Sequence, residues 1–178
     1  MRFEIERKFL VAHDGWRKAA TRVRYLKDGL IGQFGRGKVR VRLDDDGAWL
    51  TVKGARAESI ARPEFEYEIP RDDAEAMLRT VCTGCLIEKD RFCVPHAGLV
   101  WEVDVFRGSL DGIVLAEVEL EQEDQAFDKP DWVGEEVTAD LRFRQSTLLH
   151  LCSKATQPIT IEDVLAVSVV GDPPALLR

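Results

Sequence analysis

Charged and apolar residues alternate at every second position in many stretches of this chain, and this alternation constrains its fold most. In the first such stretch, EIERK, the charged residues Glu4, Glu6 and Lys8 are separated by single residues. Successive side chains of a β-strand point to opposite faces, so these three would line one face of a strand. In a helix they would spread around most of the circumference. The stretch therefore predicts a strand with one charged face and one largely apolar face.

The same alternation returns often enough to predict about eight strands. The further stretches are GKVRVRL (37–43), AWLTVKG (48–54), RPEFEYEI (62–69), VWEVDV (100–105), LAEVEL (115–120), and the less regular IEKDRF (87–92) and 132–138. Helical spacing is rarer. It predicts a short helix from Arg71, a second over about 140–153 and a weak one over 16–22. Consecutive antiparallel strands of this kind form a meander or a barrel.

Size, composition and net charge limit the possible classes of protein. The chain has 178 residues, of which 45% are hydrophobic and 32% charged, and this predicts one folded domain. Its net charge of −7 argues against a nucleic-acid partner. No stretch reaches the roughly 18 apolar residues of a membrane span, and no signal peptide is recognisable. We therefore expect no membrane partner and a cytoplasmic location.

The two signs of charge lie on different predicted strands. Arg40, Arg42 and Lys53 make two strands basic, whereas the acidic positions lie within 64–68, 102–104 and 117–119. A solvated protein surface usually mixes both signs. Segregated acids would suit divalent cations, and segregated bases would suit an anion with several charges, such as a polyphosphate. The alternation alone fits equally well an antiparallel sheet with one solvent-exposed face and cross-strand ion pairs.

Ordered motifs along the chain resemble those of the CYTH domain, the triphosphate tunnel metalloenzymes. EIERK resembles the ExExK signature of that family, and the match continues through VRVR (39–42), LTVKG (50–54), EFE (64–66), EKDRF (88–92), WEVDVF (101–106), AEVEL (116–120) and PDWVGEEVT (130–138). The resemblance implies an α+β fold, an eight-stranded antiparallel β-barrel (the triphosphate tunnel) with a charged interior and flanking helices. Residues 1–150 would form the tunnel domain, and 151–178 a C-terminal extension packed on or beside the barrel.

The resemblance also implies roles for individual residues. One or two Mg²⁺ or Mn²⁺ ions would be bound by Glu4, Glu6, Asp104, Glu117 and Glu119. The triphosphate would be bound by Lys8, Arg40, Arg42, Lys53, Lys89, Arg91 and Arg142, with Glu64, Glu66 and Glu102 in support. Lys8 would also act on the attacking water together with Tyr25. The stretch around that tyrosine, RVRYL (22–26), has Val-Arg where the family has Gln-Gly.

The activity implied by the resemblance is Mg²⁺- or Mn²⁺-dependent hydrolysis of a triphosphate, with inorganic tripolyphosphate favoured. Water would attack the terminal phosphorus, with one metal orienting the triphosphate and the other activating the water. The alternatives are a class IV adenylyl cyclase, a thiamine triphosphatase and a non-catalytic module that binds polyphosphate or nucleotides. The expected partner is a triphosphate-bearing small molecule. An apolar outer face of the barrel would also suit a homodimer.

The cysteines are similar in spacing to a zinc knuckle, because CTGC (82–85) is followed by CVPH (93–96). The stretch between the two pairs is predicted to be a strand. A strand of about seven residues spans roughly 20 Å, which a single zinc ion cannot bridge. We therefore expect no zinc site at Cys82, Cys85, Cys93 and His96. Four cysteines are also too few for a disulfide scaffold in a chain of this length.

Overall fold

A ten-stranded antiparallel sheet dominates the computed structural model, which describes residues 3–55 and 60–168. The strands are β1 (Phe3–Glu4), β2 (Glu6–Val11), β3 (Arg22–Phe34), β4 (Gly37–Asp44), β5 (Ala48–Gly54), β6 (Arg62–Glu68), β7 (Ile87–His96), β8 (Leu99–Phe106), β9 (Val114–Glu119) and β10 (Val133–Glu136). The helices are α1 (Arg71–Thr80), α2 (Gln145–Lys154) and α3 (Ile161–Leu165). Residues 169–178 of the predicted C-terminal extension lie outside the described residues.

The first segment of the chain joins the two ends of the sheet, because β1 is one edge strand and β2 lies next to the other. The hydrogen-bonded order of strands is β1-β6-β5-β4-β3-β7-β8-β9-β2-β10. Only Ile5 separates β1 from β2, so Glu4 pairs with β6 while Glu6 pairs with β9. The sheet therefore curves around an interior, and the predicted antiparallel barrel-like architecture is confirmed. The strand number differs, ten instead of eight, and the ladder is not closed by hydrogen bonds at this seam.

The longest strand, β3, is not predicted by the alternation. It pairs with β4 on one side and β7 on the other. Its sequence, RVRYLKDGLIGQF, carries charges on both faces, which hides the two-residue period. The helix predicted over 16–22 is wrong, because a 3₁₀ turn covers Asp14–Lys18 and β3 begins at Arg22.

Helix α1 covers the outer face of β3, β4 and β5. It begins at Arg71 as predicted, and its buried residues Ala74 and Leu78 pack with Val41 of β4. A Cβ atom built at Gly29 of β3 would lie 2.4 Å from Cys82 Sγ and 2.8 Å from Leu78 Cδ2. Only a residue without a side chain allows this strand and the end of the helix to approach so closely.

An apolar cluster fills one end of the interior. The helix predicted over 140–153 is split into a 3₁₀ turn, Leu141–Phe143, and α2. Phe143 and Leu148 from these segments pack with Phe106 and Leu115 of the sheet. The short helix α3 follows, and its first turn is held by the reciprocal capping contacts of Thr160 with residue 163.

The apolar faces of the strands near the seam point outward into a second cluster, in which Phe9, Trp101 and Trp132 are buried. Arg7, the charged residue on the apolar face of EIERK, pairs with Glu136 of β10, with 2.8 Å between Nε and Oε1. Its guanidinium also lies 5.1 Å from the centre of the Phe127 ring. No helix of the described part of the chain is long and apolar enough to cross a membrane.

Candidate functional site

A cavity of about 990 Å³ occupies the interior of the curved sheet, and charged side chains line most of it. The basic lining residues are Lys8, Arg24, Lys38, Arg40, Arg42, Lys53, Arg62, Lys89, Arg91 and Arg144. The acidic ones are Glu4, Glu6, Asp28, Asp44, Glu64, Glu66, Glu102, Glu117, Glu119 and Asp140. The charged faces of the strands therefore point inward, and the alternative of a solvent-exposed charged face does not hold.

Most residues singled out by sequence lie together in this lining, but three do not. Asp104 is 1% exposed and lies behind the lining, bound to Lys89 and Arg91. Tyr25 lies outside the lining, and its hydroxyl donates a 2.6 Å hydrogen bond to Glu88. Burial and this bond raise the pKa of Tyr25 to about 12.

Arg142 is the third residue outside the lining. Its guanidinium binds the carboxylate of Asp140 and donates to the carbonyl of Leu165 at 2.8 Å. Arg144, two residues later in the same RFR stretch, lines the cavity instead. The roles of Tyr25 on water and of Arg142 on triphosphate stay predictions that these positions do not support.

Arg91 organises the acidic residues of one wall. Its guanidinium contacts Asp104 at 2.6 Å and 2.7 Å, Glu117 at 2.8 Å, and also Glu102. Burial disfavours the charge on Arg91, but Asp104 and the other carboxylates outweigh it and raise the pKa of Arg91 well above its usual value. In turn, burial opposes ionisation of Asp104, yet Arg91 and Lys89 lower the pKa of that carboxyl.

Lys8 and Glu117 form a buried ion pair on the neighbouring strands β2 and β9. The distance between Nζ and Oε1 is 2.8 Å. Burial alone would lower the pKa of Lys8, but Glu117 and Glu6 outweigh it and raise that pKa. Burial would raise the pKa of Glu117, yet Lys8 and Arg91 hold it well below its usual value. Both groups are therefore charged at neutral pH.

Glu4, at the seam, is held by two basic residues. Lys53 Nζ lies 2.7 Å from Oε1 and Arg62 Nε lies 2.5 Å from Oε2. Burial opposes the charge on Glu4, but the attraction of Lys53 and Arg62 keeps its pKa far below the usual value. Lys53 also contacts Glu64 at 3.1 Å.

Arg40 and Arg42 lie on adjacent inward positions of β4. They differ in how fully nearby carboxylates neutralise their charges. Arg42 binds Asp28 through two atoms, at 2.7 Å and 2.9 Å. Arg40 lies 3.8 Å from Asp28 and 3.6 Å from Glu66, and its buried Nε has no hydrogen-bond partner. Burial and the charge of Arg42 lower the pKa of Arg40. Arg40 is thus a buried cation with spare capacity for an anion.

Glu6 and Glu119 are the opposite case, because they are acids without a basic partner; Glu6 is half-buried and Glu119 is exposed. They face each other across β2 and β9, and neither forms a salt bridge with a described residue. Burial raises the pKa of Glu6, and so do the nearby charges of Glu117 and Glu4. Burial and the charge of Glu4 likewise raise the pKa of Glu119. The charges of Lys8 and Lys53 act on Glu6 only as weaker effects, which burial and the neighbouring acids outweigh.

The acids fit a divalent cation in their chemistry but not yet in their spacing. Hard oxygen donors such as Glu6 and Glu119 are what Mg²⁺ and Mn²⁺ prefer. Among the described residues, however, no three acidic, histidine or cysteine side chains already stand close enough together to hold an ion. Glu4, Glu117 and Asp104, the other predicted ligands, are engaged by Lys53, Lys8 and Arg91.

Several lining residues were not found from the sequence. Lys38 and Arg62 continue the alternation that contains Arg40 and Glu64, so extending the pattern by one step would have found them. Asp28, in contrast, lies on β3, which the pattern does not predict as a strand. No sequence signal would have marked it.

Two relatives of this chain are known as inorganic triphosphatases. The protein from Acetivibrio thermocellus is 44% identical over 147 residues, which cover 82% of this chain and 92% of that protein. The protein from Nitrosomonas europaea is 37% identical over 153 residues, which cover 82% of this chain and 95% of that protein.

Solved structures share the fold. A crystal structure of an inorganic triphosphatase is 34% identical, with a TM-score of 0.59 over 84% of this chain and 95% of that one. A Hippeastrum protein, described as a candidate adenylyl cyclase that reveals a dominant triphosphatase activity, has a TM-score of 0.53 and 15% identity. It covers 68% of this chain and 80% of that one, and at this identity the similarity shows the fold alone.

The model of the CYTH domain matches residues 2–150, which include every strand of the sheet. Within that range lie both the paired basic residues of the cavity and the two acids that lack a basic partner. The chain belongs to the CYTH domain family.

Proposed function

We propose that this chain hydrolyses inorganic triphosphate in a reaction that depends on a divalent cation. The observation that carries the proposal is the cavity itself, where buried basic residues surround two carboxylates that have no basic partner. A bound polyanion would neutralise the charge of the basic residues, and a bound cation would neutralise the charge of the two acids. The relatives named inorganic triphosphatase, which are 44% and 37% identical, support the same substrate.

The basic residues would bind the phosphate oxygens. Arg40 has only long contacts with carboxylates, and its spare N–H group can donate to an oxygen without first losing a partner. Lys53 and Arg91 would exchange part of their contacts with acids for contacts with phosphate. Guanidinium and ammonium groups in a largely buried site bind phosphate more strongly than in water, because the local dielectric is low.

Glu6 and Glu119 would hold the divalent cation, and Glu4 and Glu117 border the same site. The CYTH family implies dependence on a divalent metal. We propose that the ion is Mg²⁺ or Mn²⁺. When bound, such an ion supplies charge neutralisation at the phosphate oxygens and a lowered pKa for bound water. Release of Glu4 and Glu117 from Lys53 and Lys8 would accompany the arrival of the polyanion.

Lys8 would act on the reaction as a charged donor. Its pKa is raised because Glu117 and Glu6 outweigh burial, so its amine is not a base at neutral pH. It can donate a hydrogen bond to the attacking water or to a terminal phosphate oxygen. The new bond joins the water oxygen to the terminal phosphorus, the bridging oxygen leaves with pyrophosphate, and the water proton passes to solvent or to phosphate.

The decisive experiment measures phosphate release from tripolyphosphate, ATP and thiamine triphosphate, each with Mg²⁺, Mn²⁺ or EDTA. We expect release from tripolyphosphate with a divalent ion and none in EDTA. Lys8→Met should lose most turnover, whereas Lys154→Met, at the exposed end of α2, should keep it.

Other outcomes of the same measurement would contradict the proposal. Cyclic AMP formed from ATP, with no release from tripolyphosphate, would identify a cyclase. Preference for thiamine triphosphate would identify a thiamine triphosphatase. Binding of tripolyphosphate without turnover under every condition would identify the non-catalytic module.

A further inference from the structure

Lys38 is a basic residue of the cavity with an unusual partner. It lies on β4, and its amine contacts the side-chain oxygen of Gln145 on α2 at 3.1 Å. Lys8 and Lys53 each lie within 3 Å of a carboxylate oxygen. Lys38, in contrast, has no carboxylate at salt-bridge distance among the residues that the structure describes. An amide oxygen compensates its charge only in part.

Other positive charges surround Lys38. Lys53 stands directly opposite it on β5, and like charges in that position repel each other. Arg40 occupies the next inward position of β4, and the charges of Lys8 and Arg62 reach Lys38 from β2 and β6.

The remaining groups that face Lys38 do not relieve this repulsion. Gln33, opposite it on β3, is uncharged, as is Gln145 on α2. Glu64 on β6 and Glu4 on β1, two acids that also line the cavity, are both engaged by Lys53. Arg144, beside Gln145 in the lining, adds a further basic residue.

We propose that Lys38 is an additional phosphate-binding residue and that its amine takes up a proton from solvent when the polyanion enters. This inference rests on the proposed function, since it concerns the same cavity and the same substrate. Nothing in the family signature marks this residue. The inference comes from its position among four cations and from its contact with a neutral amide.

The physical reason is a change in the charge around the amine. Burial, and after it the charges of Arg62, Lys53, Arg40 and Lys8, hold the pKa of Lys38 well below its usual value. The Lys38 amine therefore loses its proton at a lower pH than an ordinary lysine does. A bound polyphosphate supplies negative charge and favours the ammonium form. The amine nitrogen then gains a proton, which the buffer supplies, and no other bond changes.

Calorimetric titration with tripolyphosphate in EDTA tests this inference without hydrolysis. The titration is repeated in two buffers of different heats of ionisation, which gives the number of protons taken up per bound polyanion. Wild type, Lys38→Arg, Lys38→Met and the control Lys154→Arg are compared. Protonation changes of tripolyphosphate itself are common to all four proteins and cancel in the comparison.

In titrations at mildly alkaline pH, we expect wild type and Lys154→Arg to take up as much as one proton more than Lys38→Arg, because a guanidinium is always charged. Lys38→Met should also lack that proton and should bind about tenfold more weakly, since it loses one charged hydrogen bond. Equal proton uptake by all four proteins would overturn the inference, as would absence of binding to wild type in EDTA. Neither result decides the proposed function, which phosphate release with Mg²⁺ tests separately.

Discussion

Glu6 shows how a single half-buried residue can be unfavourable for stability and useful for function. It lies among the carboxylates of Glu117, Glu4 and Glu119 without a basic partner. Such an arrangement costs free energy unless a cation is bound. We therefore take Glu6 and Glu119 as the residues whose substitution best separates metal binding from folding.

Replacement of Glu6 by glutamine should weaken Mg²⁺ dependence without weakening the fold. The apparent affinity for Mg²⁺ in phosphate release should fall by about tenfold or more, because an oxygen donor with negative charge is lost. The free energy of unfolding in urea should stay the same or rise, because a repulsive charge is removed.

Glu68→Gln is the matched control for Glu6→Gln. Glu68 is exposed on β6 and outside the cavity lining, so the control removes the same charge without touching the site. An unchanged Mg²⁺ dependence in Glu6→Gln would remove this residue from the metal site.

Asp28 is a buried acid of the opposite kind, because its role is to neutralise arginines. Burial opposes its charge, but Arg42 and Arg40 outweigh it and hold the pKa of Asp28 far below the usual value. Its charged form therefore stabilises the protein above about pH 4, where an unfolded aspartate titrates. That stabilisation is lost as the pH falls from there towards the folded pKa.

Asp28→Asn should lower the free energy of unfolding by about 3–5 kcal/mol at neutral pH, because buried arginines lose their counter-charge. In urea unfolding at about pH 3, the difference from wild type should be smaller, since wild type has then lost part of this stabilisation. Asp124→Asn, in an exposed loop, should match wild type at both pH values. A difference that stays constant with pH would contradict the assignment of the shift to Asp28.

At the scale of elements, β3 and α1 depend on a glycine. Because a Cβ atom at Gly29 would lie 2.4 Å from Cys82 Sγ, Gly29→Ala should force the end of α1 away from the sheet. We expect a loss of about 1–3 kcal/mol in the free energy of unfolding, the usual cost of overpacking. Urea unfolding measures it.

Gly32, on the same strand, is the control for Gly29. A Cβ atom built there meets nothing within 4 Å, so Gly32→Ala should change stability by less than about 0.5 kcal/mol. Combining Gly29→Ala with Cys82→Ala should recover part of the loss, because the nearest clashing atom is gone. If the double variant were no better than the sum of the singles, contact with Cys82 would not be the cause.

The sequence predicts those strands in which charged and apolar residues alternate regularly at every second position. EIERK, GKVRVRL and LAEVEL place Glu6, Arg40 and Glu117 on the inward face, and the structure brings them to one cavity. The strand β3 carries charge on both faces, so alternation does not reveal it or its inward Asp28. The sequence also does not reveal which charged side chains form ion pairs. The pairing of Lys8 with Glu117 depends on the register of two strands that are far apart in sequence.

At the scale of the whole molecule, ligands that bind in the cavity should increase the stability of the folded state. A ligand that binds the folded state and not the unfolded state stabilises the protein by about 2.7 kcal/mol at a concentration a hundredfold above its dissociation constant. We expect both Mg²⁺ and tripolyphosphate to raise the temperature of thermal unfolding, and EDTA to remove the effect of Mg²⁺ only.

The same thermal scans include Glu6→Gln as a control. It should keep the stabilisation by tripolyphosphate and lose much of that by Mg²⁺. Stabilisation by neither ligand would contradict a ligand-binding role for the cavity. The predicted homodimer is a separate question and stays a prediction that sedimentation or light scattering would test.

The seam at Ile5 has a consequence for how the chain reaches this shape. The residues on either side of it find their partners about 60 and 110 positions later, on β6 and β9. They are therefore synthesised long before the strands that receive them. Closing such long loops costs entropy that is recovered only when the ladders form, which slows folding. We expect the segment that carries Glu4, Glu6 and Lys8 to dock last, so the catalytic cavity comes into being only in the final step of folding.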